Sequence, residues 1–314
     1  MAYNKSEMDK IWDVFVVGDA NIDYLARGPR LPEAGESVQG GQFLRAFGGK
    51  GDNQSVAVAR LGGRAAVLAC VGRDGRGDDI VLHLAHEGVE TRWSCRRSND
   101  PTGVVLIQVD EAGSKQTLAV PGANRHLSPQ DLPRQAIAQS SVLLVSTGAP
   151  RDVVVAAVHL AKEVGAQVVL DPGPPQELPL DIYPLVDIIK PNAFEAEFLT
   201  GVEVRDRETA RQAVDVLMSR GVGAVAIEAG GEGNLLVWKE GESWNPLLPV
   251  KVVDTTGAGD AFSAALAISL AEGWGWDRAG PFANAAAALA TTALGAQSAL
   301  PSRREVQALL AAQA

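Results

Sequence analysis

Cysteine is scarce: only Cys70 and Cys95 occur in 314 residues, and neither belongs to a CxxC or other metal-type spacing. That excludes a disulfide-stapled scaffold and a zinc module, and the expected setting is the reduced cytoplasm. Long apolar runs are missing too. Every hydrophobic stretch is too short, or too interrupted by glycine and polar residues, to span a bilayer, and the polar stretch Met1–Lys10 lacks a signal core. Positive charge is in deficit, with 28 Lys and Arg against 38 Asp and Glu, a formal charge of −10. No broad basic surface is implied, so neither nucleic acid nor membrane is the expected partner. No GxGxxG follows the first strand and no GxxxxGK[ST] is present, which argues against a dinucleotide oxidoreductase and a Walker A enzyme. Repeats, low-complexity tracts and long linkers are absent as well.

What remains is a chain that is 46% hydrophobic and 21% charged, enough to build a large core. Short apolar runs alternate with helical patterns. The runs Val14–Gly18, Ala65–Val71, Val142–Ser146, Gln167–Asp171, Asp187–Lys190, Ala224–Glu228 and Leu235–Trp238 predict strands, several of them apolar throughout, as in strands covered on both faces. Between them, Asn53–Leu61, Asp78–Glu87, Asp152–Val164, Glu208–Arg220, Ala258–Ala271 and Arg278–Leu294 predict helices. The alternation predicts an α/β fold with a doubly wound, mostly parallel sheet, as one domain over 1–314. Two stretches break the rhythm: Asn21 to Phe47, and Gly103 to Pro121, which reads as a hairpin turning at Glu111–Ser114. Both are expected to form a small projecting β-sheet, a candidate lid.

Two motifs carry chemistry. In the first, a strand-like Val250–Val253 runs into Asp254-Thr255-Thr256-Gly257-Ala258-Gly259-Asp260 and then an apolar helix. Free N–H groups at Gly257, Ala258 and Gly259 would converge there with the helix dipole behind them, which suits charge stabilisation in phosphoryl transfer. Asp260 stands where a carboxylate can take a proton from an attacking hydroxyl. The same residues also make an ordinary helix cap. In the second, Phe47-Gly48-Gly49-Lys50-Gly51-Asp52-Asn53-Gln54 opens a helix, with glycines for close backbone approach and Lys50 and Asn53 as polar groups. A flexible loop with an incidental lysine would read alike.

Taken in order, GDANID, FGGKGDNQ, PTGVVLI, PGAN, KPNAFEAEFLTG, DTTGAGDAF and GAQSALP resemble the ribokinase branch of the PfkB carbohydrate kinases over Val14 to Pro301. The resemblance implies transfer of phosphate from ATP to a hydroxyl of a small sugar, with Asp260 as base. It implies sugar contacts from Asn21, Asp23, Gly49, Lys50, Gly51 and Asn53. It places Asn192, Glu228, Gly230, Gly233, Gly259 and Asn284 near the nucleotide, and Glu195 near Mg²⁺. For K⁺ it implies Asp254 and Thr256, faced by Ala290, Ala293, Gly295 and Ala299. A homodimer joined through the small sheet is also implied.

The sequence departs from the family at three positions. Asp52 stands where a small residue is usual, and Glu228 where a threonine is usual. Gly148 falls where ribokinases carry a sugar-contacting glutamate, so an acceptor for one hydroxyl is expected to be missing and ribose is in doubt. Alternatives are a nucleoside kinase of the same family, with Phe43 and Phe47 lining a base slot, or a silent sugar-binding homologue. The intact Asp260 and glycine turn argue against the silent homologue.

Overall fold

The computed structural model describes residues 10–112, 114–229 and 231–313. In chain order it runs through β1 (Trp12–Val17), β2 (Asn21–Arg27), β3 (Gln42–Gly48), α1 (Lys50–Arg60), β4 (Ala65–Leu68), β5 (Cys70–Gly72), α2 (Gly75–His86), β6 (Cys95–Arg97), β7 (Gly103–Val109) and β8 (Lys115–Val120). Then come α3 (Arg134–Ala138), β9 (Ser140–Ser146), α4 (Arg151–Val164), β10 (Gln167–Asp171), β11 (Ile188–Ile189), α5 (Ala193–Thr200), α6 (Arg207–Ser219), β12 (Ala224–Glu228), β13 (Gly233–Trp238), β14 (Gly241–Pro246), α7 (Ala258–Ala271), α8 (Trp276–Ala290) and α9 (Arg303–Ala311).

The main sheet has eight strands in the order β14-β13-β12-β11-β10-β9-β1-β4. Pairings from β4 through β12 are parallel, and β13 and β14 close one edge as antiparallel strands. Its apolar strands follow from burial on both sides. Along β1, Phe15 and Val17 enter one core while Val14 and Val16 enter the other, and Leu143 and Val145 of β9 alternate likewise with Val142 and Leu144. The first core is covered by α4 and α6, through residues such as Val154, Val158, Val214 and Leu217. The second is covered by α1, α7 and α8, through Val56, Leu266 and Phe282. Because the crossovers are parallel, the strand ends at Val17, Ser146, Asp171, Ile189 and Glu228 share one rim.

A second sheet, β3-β2-β7-β8, gathers the two stretches that broke the rhythm. Its period of two sorts the side chains. Asp23, Leu25, Ile107 and Val109 share one face, where Leu294 packs from the main body. Tyr24, Phe43, Leu106 and Leu118 share the other.

Several boundaries differ from expectation. Helix α1 starts at Lys50 rather than Asn53, because Gly49 takes φ +93° and Asp19 Oδ1 accepts from Lys50 N at 2.9 Å. Thus FGGKGDNQ is largely a helix start, not a loop. The run Ala65–Val71 breaks at Ala69 and sends Cys70 to pair with Cys95 in a separate two-stranded sheet. Val250–Val253 is not a strand; Val253 N and Asp254 N instead bond Thr291 O. Helix α8 stops at Ala290, so the chain can turn back towards Gly257. Sequence periodicity missed β14, α5 and α9. The hairpin turn is closed by Asp110 N to Ser114 O at 3.1 Å, with Gly113 outside the described residues.

Asp52 exposes a conflict within α1. It lies in the first turn, where the helix dipole favours a carboxylate by about 0.3–1 kcal/mol. It is also fully buried, and neither carboxylate oxygen has a hydrogen-bond partner among the described residues. An unsatisfied buried group costs about 1–3 kcal/mol, more if charged, so burial wins. The Asp52 carboxyl is accordingly pushed well above its ordinary range by burial, against the opposing pull of the nearby Gln297 amide and with Asp23 and Asp19 adding to the rise. A folded-state value above the unfolded one means the wild-type penalty grows as pH rises past the unfolded value of about 4. Asp52→Ala is therefore expected to raise Tm by a few degrees at pH 7.5, with the gain shrinking towards pH 4.5. Thermal unfolding at the two pH values checks this; a lower Tm at pH 7.5 would contradict it.

Candidate active site

The parallel-strand rim and the N-termini of α1 and α7 converge on a cavity of about 530 Å³. Its walls include Lys50, Asn192, Glu195, Glu228, Asn284 and the Gly257–Asp260 turn. At one end sits Asp260, in the first turn of α7. It accepts from Asn53 Nδ2 at 2.8 Å and Gln54 Nε2 at 3.1 Å, and Lys50 Nζ lies 3.7 Å away. Burial pushes its carboxyl up to about 6; Lys50 pulls down and nearby Asp171 adds to the rise. That places it close to the operating range of a general base. The turn before it is set by Gly257, at φ +87°, where a Cβ would collide with Ala296 O of the facing loop.

Asp171 was missed by motif reading. It closes β10, is fully buried, and accepts from Lys50 Nζ, Gln54 Nε2 and Ser263 Oγ at 2.9 Å each. Lys50 is thereby fixed between two helices and the sheet. Burial opposes its charge, but Asp171, Asp260 and Glu195 outweigh that and hold the amine protonated. Lys190, which follows β11, was also missed: it is buried, lines the cavity and holds Nζ 5.9 Å above the Phe262 ring. The available signal was a charged residue terminating an otherwise apolar strand.

Glu195 and Asn192 form a reciprocal cap on α5, with Asn192 N to Glu195 Oε2 and Glu195 N to Asn192 Oδ1 both at 2.8 Å. The Glu195 carboxyl is buried and its proton affinity raised, by burial first and by Asp171 second. Asn284 donates to Pro246 O at 2.7 Å and accepts from Asn234 Nδ2 at 2.8 Å, so its amide is bonded across to β13 and the end of β14. Gly233 is a packing position: a Cβ there would collide with Asn245 O. Gly230 lies outside the described residues.

Near Asp260, β2 places Asn21 and Asp23. Asp23 Oδ1 is buried without a hydrogen-bond partner among the described residues. Burial first, then Asp19 and Asp260, push its carboxyl up to about 7. Gly48 must be glycine here, since a Cβ would run into the Asp23 carboxylate. Asn21 is tied to Asp19 Oδ2 at 2.7 Å and to Asn124 at 2.9 Å. Beside Gly148 lies a carboxylate from the β1–β2 connection: a Cβ on Gly148 would collide with Asp19 Oδ1. The space next to Gly148 is therefore not free. Phe43 and Phe47 do not line a base slot. They lie on the sheet face opposite Asp23, Phe43 being 70% exposed and Phe47 stacked on His83 at 3.9 Å.

The two expected ions fare differently. Mg²⁺ binds through one or two carboxylates and keeps much of its hydration, so a single cavity-facing Glu195 fits it. For K⁺, Asp254 and Thr256 are already engaged. Asp254 Oδ1 accepts from Lys115 Nζ at 2.5 Å, Thr256 Oγ1 at 2.8 Å and Thr256 N at 3.1 Å, and Oδ2 accepts from Gly295 N at 3.0 Å. A carboxylate with four donors, one cationic, does not fit a second cation. Ala290 is fully buried at the end of α8, and Ala293 and Ala299 lie in the turns that follow.

The family model for pfkB family carbohydrate kinases matches residues 12–303. A ribokinase of Haemophilus influenzae is 39% identical over 92% of this chain and 95% of its own length. A ribokinase of Mus musculus is 34% identical, covering 93% of each chain. The structure of Arabidopsis thaliana ribokinase complexed with ribose and ATP superimposes with a TM-score of 0.86 at 30% identity, over 96% of this chain and 99% of that one. With the rim, the glycine turn and the buried aspartate arranged as above, the chain belongs to the pfkB family of carbohydrate kinases.

Proposed function

We propose that the protein transfers the terminal phosphoryl group of ATP to a hydroxyl of a small sugar with neighbouring hydroxyls, and that Asp260 is the general base. The observation that carries this is the buried Asp260 carboxylate at the first turn of α7, which lines the cavity and lies near enough to Asp23 for their charges to interact, Asp23 Oδ1 having no hydrogen-bond partner among the described residues. A hydroxyl donating to Asp23 would satisfy that oxygen and sit beside Asp260. The N–H groups of Gly257 and Gly259 would face the charge on the transferred group, whereas the expected third donor, Ala258 N, is bonded to Thr255 O at 3.3 Å; Lys50 and Lys190 would be flanking cations. Glu228 and Asn284 would line the nucleotide side. Bound at Glu195, Mg²⁺ would neutralise phosphate charge. The β3-β2-β7-β8 sheet would serve as the lid. Its outer face exposes Phe43, Leu106, Leu118 and Val120, which supports a homodimer formed through it. A sugar is favoured over a nucleoside because Phe43 and Phe47, the expected base-slot pair, lie on the sheet face opposite Asp23.

Asp260→Asn keeps the size but cannot take a proton, so kcat is expected to fall about 10²–10⁴-fold. In the wild type, kcat/KM should decline as pH drops through about 6, where Asp260 becomes protonated. Initial rates over a sugar panel check both, and near-normal turnover by the mutant would remove Asp260 from the role.

Glu195→Gln should raise the Mg²⁺ concentration needed for half-maximal rate and lower kcat, while sugar binding by calorimetry changes little. An unchanged Mg²⁺ dependence would leave Glu195 as a helix cap only.

Asp19 is proposed to stand in for the absent glutamate. Asp19→Asn keeps an acceptor for Lys50 N but removes the charge; charged hydrogen bonds exceed neutral ones by about 1.4 kcal/mol, so kcat/KM for the sugar should drop about tenfold, with KM for ATP unaffected. Gly148→Glu alone should impair every sugar tested, because its Cβ meets Asp19. Adding Asp19→Ala to it should recover part of the loss. An improved rate for Gly148→Glu alone would contradict this.

A further inference from the structure

We propose that the ammonium of Lys115 replaces the monovalent cation at Asp254 and Thr256, so that this kinase needs no K⁺ and is assembled by its own hairpin. The reading rests on Gly257–Gly259 being the anion hole of the proposed reaction.

Lys115 is the first residue of β8. Its register partner is Val109, which pairs in turn with Arg27. This row has the parity of Asp23 and Leu25, so Lys115 lies on the face of the small sheet turned towards the main body. From there Nζ reaches Asp254 Oδ1 at 2.5 Å and donates to Thr256 Oγ1 at 2.8 Å. Thr256 passes the bond on, its hydroxyl donating to the same Asp254 oxygen at 2.8 Å. The segment is anchored from the facing loop as well, through Gly295 N and through Thr291 O, which accepts from Asp254 N at 3.1 Å. Asp254 is buried, and its two oxygens accept from four donors: the Lys115 ammonium, the Thr256 hydroxyl, Thr256 N and Gly295 N. The carboxylate is thus ionised and neutralised by a positive charge that belongs to the chain.

Electrostatics makes the two cations exclusive. A K⁺ on the same oxygens would lie about 4 Å from the ammonium, and two like charges at that distance repel by about 4 kcal/mol at an effective dielectric of 20. The role of either cation is the same. An uncompensated Asp254 carboxylate, three residues before Gly257, would weaken the positive potential that the turn presents to phosphate. Lys115 is therefore a positioning residue, acting through Asp254 and Thr256 on the turn.

The test measures turnover of the best panel sugar, with ATP and Mg²⁺, in KCl and in tetramethylammonium chloride at equal ionic strength. Thermal unfolding is followed in the same salts. Wild type is expected to show equal kcat in both, within about twofold, and equal Tm. Lys115→Ala should lose about tenfold or more in kcat, equivalent to about 1.4 kcal/mol, in tetramethylammonium. Most of that should return in K⁺, with a K⁺-dependent rise in Tm that wild type lacks. Lys115→Arg should stay insensitive to K⁺. The proposal is overturned if K⁺ activates the wild type about tenfold, or if Lys115→Ala responds to neither salt in rate or Tm, whether it stays active or not. A wild type that phosphorylates no sugar would refute the anion-hole reading, while the Tm comparison would still decide the cation.

Discussion

The ammonium of Lys50 is the contact on which the site's geometry depends. It is placed by the first residue of α1, bonds Asp171 at the end of β10 at 2.9 Å, and lies 3.7 Å from Asp260 in α7. Glu195 from α5 completes the field that keeps it charged. Bringing that many carboxylates together away from water costs several kcal/mol per ion unless a cation is shared among them. The sharing works only if two helix starts and a strand end arrive at one point. Gln54 and Ser263 support the arrangement by donating to Asp171, so few of the buried acceptors are left open.

Around that centre the acidic groups differ in proton affinity for reasons visible in their partners. Asp254, with an ammonium, a hydroxyl and two backbone N–H groups, sits at about 2. Asp260, with two amide donors and a more distant ammonium, sits at about 6, and Asp23, with one oxygen unpartnered, at about 7. Asp52, fully buried, is also raised well above its ordinary range. The same residue type thus supplies a permanent anion, a base and a neutral acid, sorted by donor count rather than by depth alone.

Much of this was legible in the sequence, and the failures share causes. The alternation of apolar runs and helical periods gave the parallel sheet because burial on both faces leaves a strong compositional mark on β1, β9 and β10. Ordered motifs pointed to Asp260, Lys50, Asn53 and Glu195 because glycine turns and helix starts are local. Asp171 escaped because it is a lone charged residue at a strand end whose partners are brought together only by the fold, and Lys190, although it opens KPNAFEAEFLTG, because its place in the cavity wall is likewise set only by the fold. The same holds for Asp19: local sequence showed glycine at position 148 but not which side chain from β1–β2 fills the space beside it. The Val250–Val253 stretch misled because β-branched residues also suit an extended connection, here bonded to Thr291 rather than to a strand. Lys115 lacked any motif, and its pairing with Asp254 spans 139 positions of chain.

The order of β1 in the sheet has a consequence for how the molecule comes into being. The first strand made lies between β4 and β9, so one of its edges waits for residues 140–146. The polar network closes later still, when Gln297 Nε2 donates to Asn53 Oδ1 at 3.0 Å across 244 positions. Arg60 adds its bonds to the carbonyls of Gln297 and Leu300 at the same stage. Contacts of such long separation form slowly, since loop closure precedes any reward from packing. During synthesis, then, most of the sheet can assemble while the carboxylates, lysine and glycine turn remain chemically incomplete. Competence for phosphoryl transfer thus waits for the bonds from Gln297 and Leu300, which are made after every strand of the sheet.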